Sequence, residues 1–324
     1  MGNIDEAGAL EVVDSIKEQF LADSRPLQNE EMPRLLSLKL PTRDEAILIF
    51  GEGVKSSSIP MVLEDVVSSE SEENHAVEVI LQVGSDHDLG YEGIAIIELI
   101  GHIAYNSAFN QLRTKEQLGY IVSAFVKKSA GGVVSFAVIV QSSSTLPEVL
   151  EERVLNWVEI FRKELDEMST ERISMEANAV VALLLERNMR LSNEVSSRWG
   201  EILATDPSSK RFSTPAFDRL EKLADELTLD DDEISDLNNE SIDESKTKDA
   251  KSPKKLKQQI LDFYDKYFTT NAPHRRAMSS RVYGHNAKSD YENNMDKPGI
   301  ISSYEDAREV KRFLGVWPSA PYWV

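Results

Sequence analysis

Two side chains seven residues apart, Arg113 and Tyr120, are of types that could act on a peptide. Arginine offers five N–H donors and stays charged, and tyrosine offers a phenolic O–H. Such a pair can hold peptide carbonyls or a developing oxyanion. On one continuous helix, seven residues make about two turns, so both side chains would project from the same face. The spacing alone favours a simpler interpretation, in which Arg113 pairs with Glu116 or Gln117 and Tyr120 opens a strand.

The histidines give no zinc-binding pattern. All five are scattered, and none forms the H-E-x-x-H or H-x-x-E-H arrangement that places two imidazoles on one helical face. His102 follows Glu98 by four residues, so the two can share a face, but one His and one Glu are too few for a catalytic zinc. The chain has no cysteine, which excludes thiolate ligands, thiolate nucleophiles and disulfides. We therefore expect no metal site and no cofactor in this chain.

Other enzyme classes have little support in the sequence. There is no G-x-S-x-G elbow, no P-loop and no G-x-G-x-x-G run, so nucleotide chemistry is not indicated. Serine, histidine and aspartate are all present, and a hydrolase with a serine nucleophile stays open as a minor alternative. A serine-directed inhibitor would distinguish that alternative.

The chain is strongly acidic. Its 36 basic and 56 acidic residues give a net charge of −20, which would repel nucleic acid and anionic membrane surfaces but not neutral or basic peptides. The most apolar run, residues 94–104, contains Glu98 and His102 and is too short for a bilayer span of about 20 residues. Two acids within residues 4–7 argue against a signal peptide. We expect a cytoplasmic protein with no nucleic-acid and no membrane partner.

The elements that must position the Arg–Tyr pair are a long helix and a hairpin. Residues 91–118 have the character of a helix, and Gly119 is suited to end it. The apolar runs 120–126 and 133–140 flank a turn with two glycines and predict an antiparallel hairpin. Apolar residues alternate along 75–83, which predicts a strand with one buried side.

The remaining pattern mixes helices and strands without regular β–α–β alternation. It predicts an α+β fold, with an antiparallel-rich mixed sheet packed against helices. Pro147 suits the first turn of one helix, and Ser169 or Thr170 suits the cap of the next. The other predicted elements are helices at 5–22, 147–167, 170–190, 193–204 and 254–268, strands at 46–50 and 276–283, and a polar break at 85–89.

The unbroken run F-N-Q-L-R-T-K-E-Q-L-G-Y-I-V at 109–122 resembles the pitrilysin/insulinase (M16) family of zinc metallopeptidases, in the C-terminal half of its insulin-degrading-enzyme type. Other segments resemble that family in the same order. They are the helix at 1–26, W-G-E-I at 199–202, A-P-H-R-R at 272–276 and F-L-G at 313–315. The resemblance covers nearly the whole chain and implies an M16 metallopeptidase-like fold.

In that family the full enzyme consists of two bowl-like halves, and the N-terminal half binds zinc through H-x-x-E-H and a distant Glu. The resemblance implies that this chain is a non-catalytic C-terminal half, inactive alone, whose partner is an N-terminal half in the same full-length chain or in a separate subunit. By matching position, Arg113 and Tyr120 would contact the peptide substrate near the scissile bond. Tyr120 would also stabilise the tetrahedral intermediate, and Phe109 and Asn110 would line the same wall.

An inactive scaffold or partner subunit is the alternative within the family, and the presence of both Arg113 and Tyr120 favours the peptidase. The resemblance also divides the chain. Residues 1–26 would be the terminal helix of a preceding domain, with its apolar face left exposed. The other parts would be a linker at 27–45, the C-terminal-type domain at 46–288 and a tail at 289–324. The acidic stretch from 225 to 244 lacks Lys and Arg, which predicts a disordered insertion at 225–252.

Overall fold

The structure, a computed structural model, describes residues 5–25, 28, 37–55, 58–129, 132–186, 190, 192–193, 195–196, 216–229, 252–295 and 297–317. Its strands are β1 (Met61–Val66), β2 (His75–Ser85), β3 (Ile121–Lys128), β4 (Val133–Ser142), β5 (Ala277–Tyr283) and β6 (Ile300–Ile301). Its α-helices are α1 (Glu6–Phe20), α2 (Arg43–Phe50), α3 (Asp86–Ala108), α4 (Pro147–Glu167), α5 (Thr170–Leu185), α6 (Ala216–Leu227), α7 (Pro253–Tyr267), α8 (Lys288–Glu292) and α9 (Tyr304–Lys311). The segment Phe109–Lys115 is a π-helix that continues α3.

The strands form one six-stranded sheet in the order β3-β4-β2-β5-β1-β6. The pairs β3–β4, β4–β2 and β2–β5 are antiparallel, and the pairs β5–β1 and β1–β6 are parallel. The mixed, antiparallel-rich sheet and the α+β class are therefore confirmed. The predicted hairpin is β3–β4, and it places β3 at one edge of the sheet.

Helices cover one face of the sheet and form the main core there. The alternating residues of β2, Val77, Val79, Leu81 and Val83, all lie in this core, as their pattern predicted. Across from them the core includes apolar residues of α3, α4, α5, α6 and α7. Its centre is aromatic, with neighbouring ring centroids 5.1–6.3 Å apart among the buried residues Phe136, Trp157, Phe161, Tyr264 and Phe268.

The opposite face of the sheet is covered by the segments that flank the main domain in sequence. Leu40, Met61 and Ile80 are buried together there, and Leu314 packs against them. Leu38 also forms an antiparallel bridge with Val316. Residues of the predicted linker and of the predicted tail from residue 289 thus contribute apolar side chains to this second face, and the division of the chain stays a prediction. These flanking segments have too few apolar side chains to form a core of their own. They complete the second face of the sheet, and β6 forms its last strand.

The predicted strand at 46–50 was wrong, because these residues form the C-terminal part of helix α2. A reciprocal cap starts that helix. The Thr42 hydroxyl accepts a hydrogen bond from Glu45 N at 3.3 Å, and the Glu45 carboxylate accepts one from Thr42 N at 2.8 Å. This T-x-x-E pattern is typical of the start of a helix. The apolar run at 46–50 that follows it led instead to the prediction of a strand. Arg276 donates a hydrogen bond to Glu45, which holds the pKa of that carboxyl at about 2, below its usual 4.5.

The polar break predicted at 85–89 is instead the first turn of α3. Ser85 caps it by accepting a hydrogen bond from Asp88 N at 3.2 Å. The helix is kinked at Gly90, whose φ of 64° is open to glycine but costly for other residues. The polar residues at this position cap a helix, whereas the sequence analysis interpreted them as a loop.

Most other helices agree with their predictions. Ser169 caps α5 as expected, accepting from Arg172 N at 3.2 Å, and Pro147 opens α4. Helix α6 was not predicted. It continues to Leu227, and Leu227 and Leu229 are buried, so the acidic insertion does not begin at 225. The predicted helix at 193–204 and the rest of the insertion lie almost entirely outside the described residues.

Helix α1 matches its prediction in position and in exposure. None of its residues is buried, and its apolar positions include Leu10 at 58 % and Phe20 at 75 % exposed. Within the described ranges, no helix combines the length and the apolar character needed to cross a bilayer.

Candidate functional site

The segment that leads to the candidate site is the π-helix Phe109–Lys115. Its wider turn ends with Glu116 N donating to Gln111 O and Leu118 N donating to Leu112 O, both at 3.0 Å. Segments of π-helix are rare and occur frequently at functional sites. The helix ends before Gln117, so Arg113 and Tyr120 do not lie on one continuous helix, and Tyr120 instead precedes strand β3.

Two backbone features turn the chain from this helix into β3. Gln117 has a φ of 54°, a left-handed conformation that costs a non-glycine residue about 1–2 kcal/mol. Gly119 lies so close to β4 that a Cβ there would stand 1.8 Å from the carbonyl oxygen of Gln141. Glycine is therefore required for close approach rather than as the helix stop that the sequence suggested. Together the two features place Tyr120 immediately before the first residue of β3.

Replacing Gly119 by alanine should destabilise the protein. The added methyl group meets backbone rather than a flexible side chain, so β3 or β4 must shift, and overpacking of this kind costs about 1–3 kcal/mol. Urea unfolding followed by circular dichroism would measure the loss. Gly315→Ala is the matched control, because its Cβ would meet only Lys39 Cβ at 3.9 Å. Equal stability of the two variants would show that the close approach at Gly119 is not needed.

Arg113 is held between two aromatic rings. Its guanidinium carbon lies 4.6 Å from the ring centroid of Phe109 and 4.8 Å from that of Tyr120. Both distances fall within the range of cation–π attraction, which leaves the N–H groups at the rim of the guanidinium available to a ligand. Tyr120 is 81 % exposed, whereas Arg113 and Phe109 are half-buried. We call Phe109, Arg113 and Tyr120 the arginine stack.

The simpler interpretation of this segment is half right. Tyr120 does stand at the entrance to a strand, but Glu116 is not the partner of Arg113. Its carboxylate accepts a hydrogen bond from Gln111 at 2.8 Å and lies 3.7 Å from Arg153. Among the described residues, Arg113 forms no salt bridge, so its charge is offset only by the two rings. The exposed Asn110 is next to the stack in sequence but is not part of it.

A shallow groove of about 360 Å³ runs beside Tyr120. Its lining is neutral and rich in hydroxyl and amide groups, which can donate to and accept from a peptide backbone. The lining of this groove contains no charged residue, although the whole chain is strongly acidic. The lining residues are Asn74, Gln117, Leu118, Gly119, Tyr120, Ile121, Gln141, Ser142, Ser143 and Ser144.

The groove lies at the end of the sheet where β1 and β5 finish, which strand register makes clear. Ile121 pairs with Gln141, Gln141 with Ala76, Ala76 with Val282 and Val282 with Asp65. A buried polar cluster supports this end of the sheet.

Arg281 is the centre of that cluster. It donates to Glu64 at 2.8 Å and, through two nitrogens, to both carboxylate oxygens of Glu151 at 2.8 and 2.9 Å. Tyr283 donates to Glu64 and accepts from Asn294. Burial raises the pKa of Glu64 despite the hydrogen bond from Arg281. No sequence pattern indicated this cluster, since its members come from three separate elements.

Within the described part of the chain, no group of three His, Cys, Asp or Glu side chains stands close enough to hold a metal ion. Glu98, which lies four residues before His102, forms a salt bridge with Lys128 at 2.6 Å. His102 Nε2 instead lies 3.2 Å from Glu176, whose other oxygen is paired with Arg172 at 2.5 Å. The carboxylate beside His102 is thus already paired with the guanidinium of Arg172.

Comparisons with known proteins cover the segment that carries the stack. Residues 99–199 match the family described as PQQ synthase PqqF-like, C-terminal lobe domain 4. The chain is 28 % identical over 284 residues to insulin-degrading enzyme-like 1, peroxisomal, from Arabidopsis thaliana, covering 87 % of this chain and 24 % of that protein. It is 27 % identical over 215 residues to insulin-degrading enzyme from Homo sapiens, covering 66 % of this chain and 19 % of that protein.

The fold has a solved counterpart. The crystal structure of pitrilysin matches 98 % of this chain with a TM-score of 0.62 and 18 % identity, over 27 % of the pitrilysin chain. This chain therefore spans about a fifth to a quarter of the length of these three proteins. The family match begins within α3 and continues through the π-helix, the β3–β4 hairpin and the helices that follow it.

Proposed function

Since this chain contains a C-terminal domain of the M16 peptidase type, we propose that it forms the non-catalytic wall of a peptide-degrading zinc metalloendopeptidase and contacts the peptide near the scissile bond. The observation that carries this proposal is the arginine stack. It presents an exposed phenol, and a guanidinium whose N–H groups have no partner among the described residues, beside a neutral polar groove. The Phe109 ring supports the Arg113 guanidinium, and Asn110 would add an amide at the rim of the stack.

The partner in this proposal is an N-terminal M16 half that holds the zinc, in the same full-length protein or as a separate subunit. In this proposal all zinc ligands come from that half, and this chain provides the peptide contacts. Its own residues bind and orient the peptide. The Arg113 guanidinium can donate hydrogen bonds to peptide carbonyls, and the hydroxyl and amide oxygens of the groove can accept hydrogen bonds from peptide N–H groups. Tyr120 can donate its O–H to the oxygen on which negative charge develops. Holding the reacting groups in place lowers the barrier without any chemistry in this half.

Arg113→Ala tests the binding role. A guanidinium that holds peptide carbonyls acts on the ground state and the transition state alike, so its loss should raise KM with a smaller change in kcat. Hydrogen bonds from a charged group contribute about 1.5–3 kcal/mol, so KM should rise roughly ten- to a hundred-fold. The measurement is steady-state hydrolysis of a quenched fluorogenic peptide by the complete enzyme.

Arg312→Ala is the control for that measurement, because Arg312 is an exposed arginine outside the stack that pairs with Glu309 at 2.7 Å. Arg113→Lys keeps the charge but loses the planar group that stacks between the rings, and it should recover little of the lost affinity. Unchanged KM in Arg113→Ala would exclude Arg113 from the peptide site. It would support the inactive scaffold or partner subunit instead.

A further inference from the structure

A pair of side chains closes the wide turn of the π-helix within the segment that carries the arginine stack. Gln111 Nε2 donates to Glu116 Oε1 at 2.8 Å, and the backbone N of Glu116 donates to the carbonyl oxygen of Gln111 at 3.0 Å. The backbone bond has the i to i+5 spacing that defines a π-helix. The side-chain bond joins the same two residues, so it closes the turn a second time. We call Gln111 and Glu116 the π-clamp.

Neighbouring charges hold both members of the π-clamp in place. Gln111 Oε1 accepts from Lys115 Nζ at 3.2 Å, and an ammonium group can only donate. The amide must therefore present its Nε2 to Glu116. The other carboxylate oxygen, Glu116 Oε2, is buried and lies 3.7 Å from Arg153 Nε of α4, which is an ion-pair distance. The π-clamp thus connects the π-helix to a helix of the main core.

The π-clamp also keeps Glu116 away from Arg113. On a regular α-helix, residues three apart are neighbours, and an arginine and a glutamate at this spacing attract each other. The sequence alone favours that ion pair. In the wider turn Glu116 contacts Gln111 and Arg153 instead, and Arg113 lies between the two rings of the arginine stack.

We propose that Gln111 and Glu116 are positioning residues for the arginine stack. The π-clamp lies within the segment that joins Phe109 to Tyr120, so the shape of its turn determines where both rings stand relative to Arg113. A regular α-helical turn competes with the rare π-helical one. When the π-clamp opens, the turn can return to α-helical spacing, in which Glu116 pairs with Arg113 and removes its N–H groups from a ligand. The consequence for peptide binding rests on the function proposed above, whereas the effect on the stack does not.

Nuclear magnetic resonance of the 324-residue chain tests the effect on the stack directly. The Nε–H resonance of Arg113, identified by its loss in Arg113→Lys, is shifted by the ring currents of the two aromatic rings. Gln111→Met removes the donor of the π-clamp and keeps a side chain of similar length, and Glu116→Ala removes the acceptor. Both should move this resonance away from its stacked position. Glu116→Gln still offers an amide oxygen to Gln111 and should leave the resonance close to that of the unmodified chain.

The kinetic consequence is measured with the same variants in the complete enzyme. Gln111→Met and Glu116→Ala should raise KM about two- to tenfold, the change expected for loss of one ordinary hydrogen bond, with little change in kcat. Glu116→Gln should have a nearly unchanged KM. Glu167→Ala removes an exposed acid at the end of α4, outside the π-clamp, and is the matched control for Glu116→Ala.

Folding is verified by circular dichroism. If Gln111→Met does not fold, Lys115→Met takes its place at an exposed position, because it removes only the donor that orients the amide. An unmoved Arg113 resonance in the folded Gln111→Met or Lys115→Met chain would overturn the proposal, and so would a Glu116→Gln resonance displaced as far as that of Glu116→Ala. A displaced resonance with unchanged KM would support the π-clamp and contradict the peptide contact proposed for Arg113.

Discussion

In the complete enzyme, Tyr120→Phe should lower kcat by about a hundred- to a thousand-fold and should change KM much less. The phenol O–H matters most where negative charge develops, and that charge exists only in the transition state. Removing one donor of this kind typically costs about 2.7–4 kcal/mol. Phenylalanine keeps the ring face that stacks on Arg113, so the arginine stack should survive.

Two companion variants separate the phenol O–H from the ring. Tyr120→Ala removes both and should also raise KM, because Arg113 then loses one of its two supporting rings. Tyr105→Phe removes a phenol O–H from an exposed tyrosine of α3 outside the stack and should leave kinetics unchanged. Circular dichroism verifies folding. If folded Tyr120→Phe cleaves peptide at the normal rate, Tyr120 serves only as the entrance to β3.

Arg281→Met should reduce the free energy of unfolding by about 3–5 kcal/mol, because it leaves buried carboxylates without their cation. The side chain of Glu64 is fully buried, and that of Glu151 is 10 % exposed. Methionine has a comparable length and adds no polar group. Urea unfolding near neutral pH measures the loss, and Arg312→Met, at an exposed surface pair, should change stability by less than about 0.5 kcal/mol.

The pH dependence gives the second arm of that prediction. The pKa of Glu64 is already raised by burial, and loss of Arg281 should raise it further. A folded-state pKa above the unfolded value means that the folded state gains stability as pH falls and the group takes up its proton. The deficit of Arg281→Met should therefore shrink below neutral pH. A deficit that is constant with pH would show that lost packing, rather than unpaired charge, causes it.

Elements with a strong periodic pattern could be predicted from the sequence, whereas the joints between them could not. The alternation in β2 and the apolar face of α7 reflect burial on one side, which a single sequence displays directly. The cap residues Ser85 and Thr42 were interpreted as parts of a polar break and of a linker, because polar residues at a helix start resemble those of a turn. The capping pattern of Thr42 and Glu45 would have identified α2.

The site itself illustrates the same limit. Spacing on a regular helix would bring Arg113 and Tyr120 to one face, but they meet by another route, through a π-helix and a left-handed Gln117. Glutamine is an ordinary helix former, so no propensity marks that turn. Arg281 and Glu64 are 217 positions apart and meet only because β1 and β5 are neighbours. Such contacts depend on sheet order, which local pattern does not determine.

The most direct test of the peptide wall is photocrosslinking in the complete enzyme. Tyr120 is replaced by p-benzoyl-phenylalanine, and Tyr304, which is 76 % exposed on α9, receives the same group as a matched control. A fluorescent substrate peptide is added before illumination. We expect light-dependent labelling at position 120 that excess unlabelled peptide suppresses, and no such labelling at position 304. Labelling at position 120 that is absent, or that is equal to the control and insensitive to competitor, would contradict the proposed contact between this domain and the peptide.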